Sequence, residues 1–497
     1  MQKTAALAKS PLFQETPEDL SFSECIKLSY CRAKAVAQVF KLTTTDILHV
    51  SPRYWEFHTD PILVMDDSVV TLLTIQYNLF IGTIARFAKG RPDIEKTISE
   101  ALDYRISGQF CLTEIDRGLN AINIETTATL QPSGEFLLHT PHPGAAKLLS
   151  PRGTARPVGH SLTSFNQVCL PSTALLGSLE KPRDTRESFF QNIQRVVVGT
   201  LSMGASAIAA LRIGCYIGIA YSLRRQVNDT STRTMRPISS FSTQYIPLLT
   251  SVAQTMVFSA LCQEAYEYFV DPSTSPTQKH FVAAIFKTTV FRHAAEILLQ
   301  LGDRCGAQGL FEVNQLLALH AGARGGAIAE GDILGLSIRF AIDMLRSRVK
   351  VPEPKFPDHL LAKHEQSIVK ELRMFLAQST DHRSPETERV LLPHCRGVLE
   401  AIGYRWAYEA ALAKGVSQPI IDLFIASLFE LDAAWYSENA GLPRWEQKNL
   451  LLDRATVLYK DLPQLLKSLD VESYVTAPIV SQERWDKYTL SALPCYE

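Results

Sequence analysis

The sequence predicts a mainly helical protein that carries a small β segment in its first half and a further helical region at its C-terminal end. Three observations carry that expectation. Long stretches repeat apolar residues at helical spacing. A single stretch, from Phe110 to Ser172, changes to period-two alternation around a Pro-Ser-Gly turn. Finally, VPEPKFPD (351–358) holds three prolines in eight residues, so it reads as a stiff linker between two helical regions.

Taken in order, the first hundred residues are expected to be helical. Ser21 and Ser23 stand as capping-type residues before a periodic run that ends at Val39, and Ser68 to Phe87 repeats apolar residues at helical spacing. SPRYWEFHTDP, between them, reads as an aromatic loop. ETTATLQPSGEFLLHTP is a hairpin signal, with Thr126, Ala128 and Leu130 before the turn and Phe136 and Leu138 after it. SLTSFNQVCLP reads as one more strand, ending at Pro171. Helices are expected over 186–226, 239–270, 276–302 and 331–349. Beyond the linker, Ile368, Leu372 and Phe375 share one helix face, and Pro419–Ser437 and Trp445–Leu469 are amphipathic, with Pro463 a break in the latter. The resulting segments are 1–109, 110–185, 186–350 and 351–497.

Composition excludes more than it selects. At about 150 residues per domain, 497 residues suggest about three domains. Hydrophobic residues make up 46%, which argues against disorder, and 50 basic against 51 acidic residues give no global pull toward nucleic acid or anionic lipid. Nine scattered cysteines without a C-x-x-C pair argue for a reducing compartment, and against both a disulfide framework and a zinc site. No metal is expected, because the twelve histidines make no i,i+4 pair. The N-terminus lacks a secretory apolar run, and Cys495-Tyr496-Glu497 is not an SKL-type address. Val196 to Leu223 has only Arg212 as a charge, yet it is rich in Gly, Ala and Ser. It therefore reads as a helix buried on nearly all sides rather than a membrane span.

Walker A, G-x-S-x-G and H-E-x-x-H motifs are absent. The most unusual segment is 303–340. It has a small-residue turn at Gly306-Ala307-Gln308-Gly309, a second at Gly325-Gly326, and then a lone carboxylate, Glu330, ahead of a helix carrying Ile333, Leu336, Phe340 and Met344 on one face. Small residues permit close backbone approach to a flat ligand. A helix N-terminus favours the carboxylate anion, and an apolar pocket favours its acid form. Two readings stay open at this level: a general base, or an N-capping acid at an ordinary loop-to-helix junction.

Three separated motifs resemble the acyl-CoA dehydrogenase/acyl-CoA oxidase superfamily, most closely its fungal oxidase-like branch. FCLTEIDRGLNAINIETTATL (110–130) is similar to the LTE and LETTAT elements. IAYSLRRQ (219–226) with STQYIPLL (242–249) is similar to YS-x-x-R-x-Q and its downstream QYKLFPLL. RCGAQGLF (304–311) with AEGD (329–332) resembles CGGHG and FEGEN. The resemblance spans about the whole chain. It implies an N-terminal α domain, a middle β domain, a four-helix bundle and an extra C-terminal helical domain.

The resemblance also implies FAD as cofactor, an acyl-CoA or related acyl thioester as substrate, and a homodimer or higher homo-oligomer. Glu330 matches the glutamate that removes the α-proton, Thr113 the threonine that bonds the flavin ring, and Gly306 the approach to the adenosine half. Arg225 matches the arginine that reaches the FAD pyrophosphate of a neighbouring subunit, with Arg224 the alternative if the register slips. The fungal branch implies secondary metabolism, with a polyketide or fatty-acyl-derived product. The cysteines and terminal signals point to the cytoplasm or peroxisome, and the balanced charge and buried apolar helix to no nucleic-acid partner and no membrane span.

Two departures stand out. The family's glycine-rich turn after LTE is replaced by Ile115-Asp116-Arg117-Gly118-Leu119-Asn120. The middle domain is shortened, since Ala145-Ala146-Lys147 runs straight into Leu148-Leu149-Ser150-Pro151-Arg152-Gly153 and then the last strand. These departures keep open an alternative on the same scaffold: a flavin-independent acid/base enzyme (isomerase, dehydratase or cyclase) or an inactive homologue.

Overall fold

A computed structural model describes residues 3–15, 20–149, 161–229, 231–379, 381 and 383–492. Ser150 to Gly153 and Cys495 to Glu497, both used above, lie outside them. The chain divides into two compact units: Met1–Phe57 with Asp66–Gly199, and His58–Met65 with Thr200–Glu497.

The first unit begins with two single-turn helices, α1 (Ala5–Ala8) and α2 (Pro11–Gln14), and then α3 (Phe22–Phe40). Ser21 starts α3 through a reciprocal capping box with Glu24, which satisfies two otherwise orphaned amides. After α4 (Thr44–His49), SPRYWEFHTDP departs from the expected loop and forms α5 (Pro52–Thr59). Pro52 is pre-shaped for a first helical turn, and the Ser51 hydroxyl accepts the Tyr54 amide.

Asp66 begins α6 (Asp67–Leu73) by accepting the Ser68 amide, and its other oxygen meets Arg32 of α3 at 3.0 Å in a buried ion pair. The run then widens into a π-helix (Thr74–Ile81), followed by α7 (Gly82–Ile84) and α8 (Pro92–Leu102). Gln76 in the π turn bonds the Ala101 and Ile106 carbonyls and accepts the Gly108 amide. Any Cβ at Gly108 would strike the Phe80 ring.

The β segment forms as expected in its hairpin, β1 (Thr127–Leu130) and β2 (Phe136–His139), paired Thr127 to His139. SLTSFNQVCLP is two strands rather than one. β4 (Ser161–Thr163) pairs with β3 (Lys147–Leu149), whereas β5 (Val168–Leu170) joins β2 in the hairpin sheet. The chain leaves one sheet for the other where Thr140 and Phe165 exchange hydrogen bonds, and Gln167 turns back with φ +51. Glu114 anchors this small region. Fully buried, it accepts the Glu125 and Thr126 amides and the Lys147 ammonium at 2.8 to 2.9 Å. Burial alone would raise its pKa, but these donors hold it down at about 2.

The expected helix over 186–226 breaks at Ile193 into α9 (Thr185–Asn192) and α10 (Gln194–Arg224). It is followed by an unforeseen hairpin, β6 (Gln226–Asp229) and β7 (Thr234–Pro237). In the second unit α10 packs against α11 (Ser242–Val270) and α12 (Pro276–Arg304), and α12 packs in turn against α13 (Leu316–Ile328) and α14 (Ile333–Leu345). The small residues of α10 make that packing possible. A Cβ at Gly204 would strike Phe286, at Gly214 Leu298, and at Gly218 both Leu301 and Leu248. Asp67–Phe87, Gln194–Arg224 and Ser242–Val270 are long and apolar enough to cross a membrane, and their apolar windows are 72%, 83% and 67% buried within the protein.

The C-terminal helices are α15 (Leu360–Gln378), α16 (Pro385–Ala413), α17 (Gln418–Leu428), α18 (Ala433–Asn439), α19 (Arg444–Tyr459), α20 (Leu462–Ser468) and α21 (Gln482–Ala492). Pro463 stands in the first turn of α20, so the expected break is present. The proline-rich linker is not helical, but it is bound down. Arg405, buried against Glu365 and Glu409, donates to the Pro352 carbonyl, and Glu409 accepts the Lys355 amide.

Candidate active site

α13 ends at Ile328, and the next three residues form the turn into α14. Glu330 sits there half-buried with φ +55, and Gly331 follows at φ +101, a conformation suited to glycine. The helix cap at this junction is Asp332, whose carboxylate accepts the Leu334 and Gly335 amides at 2.9 and 3.0 Å. The capping alternative for Glu330 is therefore overturned: the cap lies two residues further on.

Side chains hold the carbonyl of every residue in this turn. Lys287 of α12 donates its Nζ to the Ala329 and Gly331 carbonyls, and Thr200 of α10 donates its Oγ1 to the Glu330 carbonyl at 2.6 Å. Burial among apolar helices pushes the Lys287 pKa down to about 7 against the opposing pull of Glu330 and Asp332. The Phe291 ring lies 5.8 Å from the same ammonium.

Gly306 and Arg225 lie at the other end of the bundle. Here Gln244 of α11 donates to the Ser222 hydroxyl of α10 and to the Arg304 carbonyl of α12, at 2.8 and 2.9 Å. Pro247 has no amide to give the Thr243 carbonyl, and Arg304 supplies the missing donor at 2.9 Å. One side chain, Gln244, thus joins IAYSLRRQ, STQYIPLL and RCGAQGLF.

The two neighbouring arginines differ in use. Arg224 is engaged with the Ile479 carbonyl and the Gln482 side chain at 3.0 and 2.6 Å. Arg225 is exposed, and its guanidinium has no partner among the described residues. Gly306 is exposed with φ +60 and open space where a Cβ would be, whereas at Gly309 a Cβ would lie 2.2 Å from the Gly302 carbonyl oxygen.

Thr113 belongs to the first unit. It is half-buried beside the bridge that pairs Glu114 with Lys147, and its carbonyl accepts the Leu148 amide at 2.9 Å. The replaced turn that follows is tied to the surface by Arg117 and His142, both on Glu125, at 2.9 and 3.1 Å.

Arg225 and Gly306 therefore come together at one end of the bundle, but Glu330 does not join them. Thr200 and Arg224 are separated by roughly 36 Å along α10 at about 1.5 Å per residue. Sequence reasoning missed Lys287, Thr200 and the linking role of Gln244. A signal existed for Lys287, the one charge inside the apolar run FVAAIFKTTVF.

Residues 195–342 match the family described as "Acyl-CoA oxidase, C-alpha1 domain". A relative from Arabidopsis thaliana, "Putative acyl-coenzyme A oxidase 3.2, peroxisomal", is 23% identical over 319 residues, covering 51% of this chain and 46% of its own length. The chain spans about half the length of the curated relatives it matches. Among solved structures, acyl-CoA oxidase 1 from Yarrowia lipolytica superposes with a TM-score of 0.82 at 16% identity, covering 100% of this chain and 90% of that one. Acyl-CoA oxidase-1 from Caenorhabditis elegans, complexed with FAD and ATP, gives 0.76 at 16% identity, covering 99% and 90%. These likenesses establish the fold.

Proposed function

We propose that the chain is a member of the acyl-CoA oxidase and dehydrogenase superfamily and an FAD-dependent oxidoreductase introducing an α,β double bond into an acyl thioester. One observation carries the reading: Glu330 is released from helix capping and held in a left-handed turn whose carbonyls are all bound by side chains. A carboxylate carried on a backbone held in this way suits the removal of an α-proton, because the place it projects from is settled before substrate arrives.

Glu330 takes the α-proton of the thioester. FAD, held by Arg225, Gly306 and Thr113, would supply the oxidising power that loss of the β-hydrogen with its electron pair requires. The residues present fit such a cofactor. Arg225 offers an exposed guanidinium fork without a partner among the described residues, as a pyrophosphate requires, and Gly306 leaves open backbone beside it. Thr113 is the proposed contact to the flavin ring.

The distance between Glu330 and Arg225 along α10 supports a homodimer or higher oligomer, in which Arg225 reaches the FAD of a second copy. The pinned turn at 115–120 supports an acyl thioester other than a simple fatty acyl-CoA, as secondary metabolism would provide. The eight described cysteines are all free, which supports a reducing compartment, peroxisome or cytoplasm.

The test is the visible spectrum of the purified protein. Near-stoichiometric flavin bands, bleached by an acyl thioester in the wild type and not in Glu330→Gln, are expected. A folded, colourless protein that cannot be reconstituted with FAD would sink the proposal.

A further inference from the structure

The geometry points to Lys287 as the positioning residue for Glu330: its ammonium holds the carbonyls on both sides of Glu330 and places a positive charge beside the carboxylate. This rests on the reading of Glu330 as the base. Lys287 reaches the turn from α12, forty-odd residues earlier in the chain, and its Nζ is shared between Ala329 and Gly331 while Thr200 of α10 takes the carbonyl between them. Three consecutive carbonyls bound from two different helices keep the left-handed Glu330 from relaxing into α13 or α14, so its backbone conformation is held by tertiary contacts.

The charge adds a second effect. Among the described residues, the groups whose charges act on Lys287 are Glu330 and Asp332, and Phe291 of its own helix presents its ring. Asp332 is committed to the α14 amides, and the carboxylate of Glu330 is the first of the two to act on the Lys287 charge. An ammonium beside it favours the anion and keeps the base ionised to lower pH. Burial pushes the Lys287 pKa to about 7, so this support declines as pH rises through neutrality.

The experiment compares wild type with Lys287→Met, Lys287→Gln and Thr200→Val by two readouts. The first is amide hydrogen exchange across 326–334, which needs neither FAD nor substrate. The second is exchange of the α-protons of an acyl thioester in D2O as a function of pH.

In Lys287→Met the turn is expected to exchange about tenfold faster while the rest of the bundle is unchanged, and the acid limb of α-proton exchange moves up by about one pH unit. Lys287→Gln, which keeps donors without charge, shifts the acid limb even if Lys287→Met does not fold. Thr200→Val loosens the turn and leaves the acid limb in place.

A turn as protected in Lys287→Met as in wild type, or an acid limb unmoved in Lys287→Gln, would overturn the assignment. Wild-type protein with no α-proton exchange at all would remove the proposed activity. Protection of the turn would still decide whether Lys287 holds it.

Discussion

At the Glu330 end of the bundle, polar groups close on one another: Lys287 and Thr200 bind every carbonyl of the turn, and Asp332 takes the helix amides. At the Arg225 end, the framework is equally tied, through Gln244, but the functional groups are left open. Arg225 and Gly306 face solvent. The difference separates two tasks. On the proposed function, a proton-transferring carboxylate gains from being pre-set, whereas a cofactor contact completed by a second copy would have to remain unsatisfied within one chain.

Five changes would break or sharpen that contrast. Glu330→Gln is expected to lower α-proton removal by about 10³-fold, within the range for a lost general base, with unchanged thermal unfolding; turnover kinetics and calorimetry check both halves.

Lys287 gives the closed end a pH dependence. Its pKa is depressed from 10.5 to about 7, so between those values the unfolded chain binds more protons than the folded one. The contribution of Lys287 to stability therefore rises with pH across that window. Urea unfolding of wild type and Lys287→Met at several pH values should give stability curves that diverge; parallel curves would refute the point.

At the open end, Gly309→Ala drives a methyl group into the Gly302 backbone and should cost about 2 to 3 kcal/mol, read from denaturant midpoints. Gly306→Ala meets no atom and should cost only about 1 kcal/mol through its left-handed backbone. Between these, Arg225→Ala should weaken FAD retention by about 10- to 100-fold, the loss of charge-assisted bonds to a pyrophosphate, without lowering the melting temperature. A drop in stability comparable to that of Gly309→Ala would show that Arg225 is structural.

Several features were legible because their causes are local. Ser21 and Glu24 lie within one turn of α3, the Pro-Ser-Gly turn lies inside its own hairpin, and the small residues of α10 announce a helix that other helices approach closely. Motif spacing also selected Glu330, Arg225 and Gly306. It left Arg224 and Arg225 open, and the engagement of Arg224 with residues 479 and 482 makes Arg225 the one carried into the proposed function.

Less local features stayed hidden. The π-helix at 74–81 sits among partners at 101–108, and the split of 161–170 between two sheets depends on Thr140. α5 was read as a loop because prolines and aromatics dominate it, although Pro52 suits a first turn. α16 contains Pro385, Pro393, Gly397 and Gly403, which mask its period; Gly403 is there because a Cβ would meet Thr289.

The sequence by itself determined the helical character and the place of the small β segment, since periodicity and turn chemistry act over a few residues, and motif spacing nominated the carboxylate at residue 330. Only the tertiary structure decided that Asp332 caps α14, that Lys287 and Thr200 hold the Glu330 turn, and that Arg225 lies far along α10 from it. The Asp332 cap is made two and three residues away and needed the observed helix start to be told from Glu330. The hold on the Glu330 turn, by contrast, depends on hydrogen bonds between residues 42 to 130 positions apart, which no local pattern encodes.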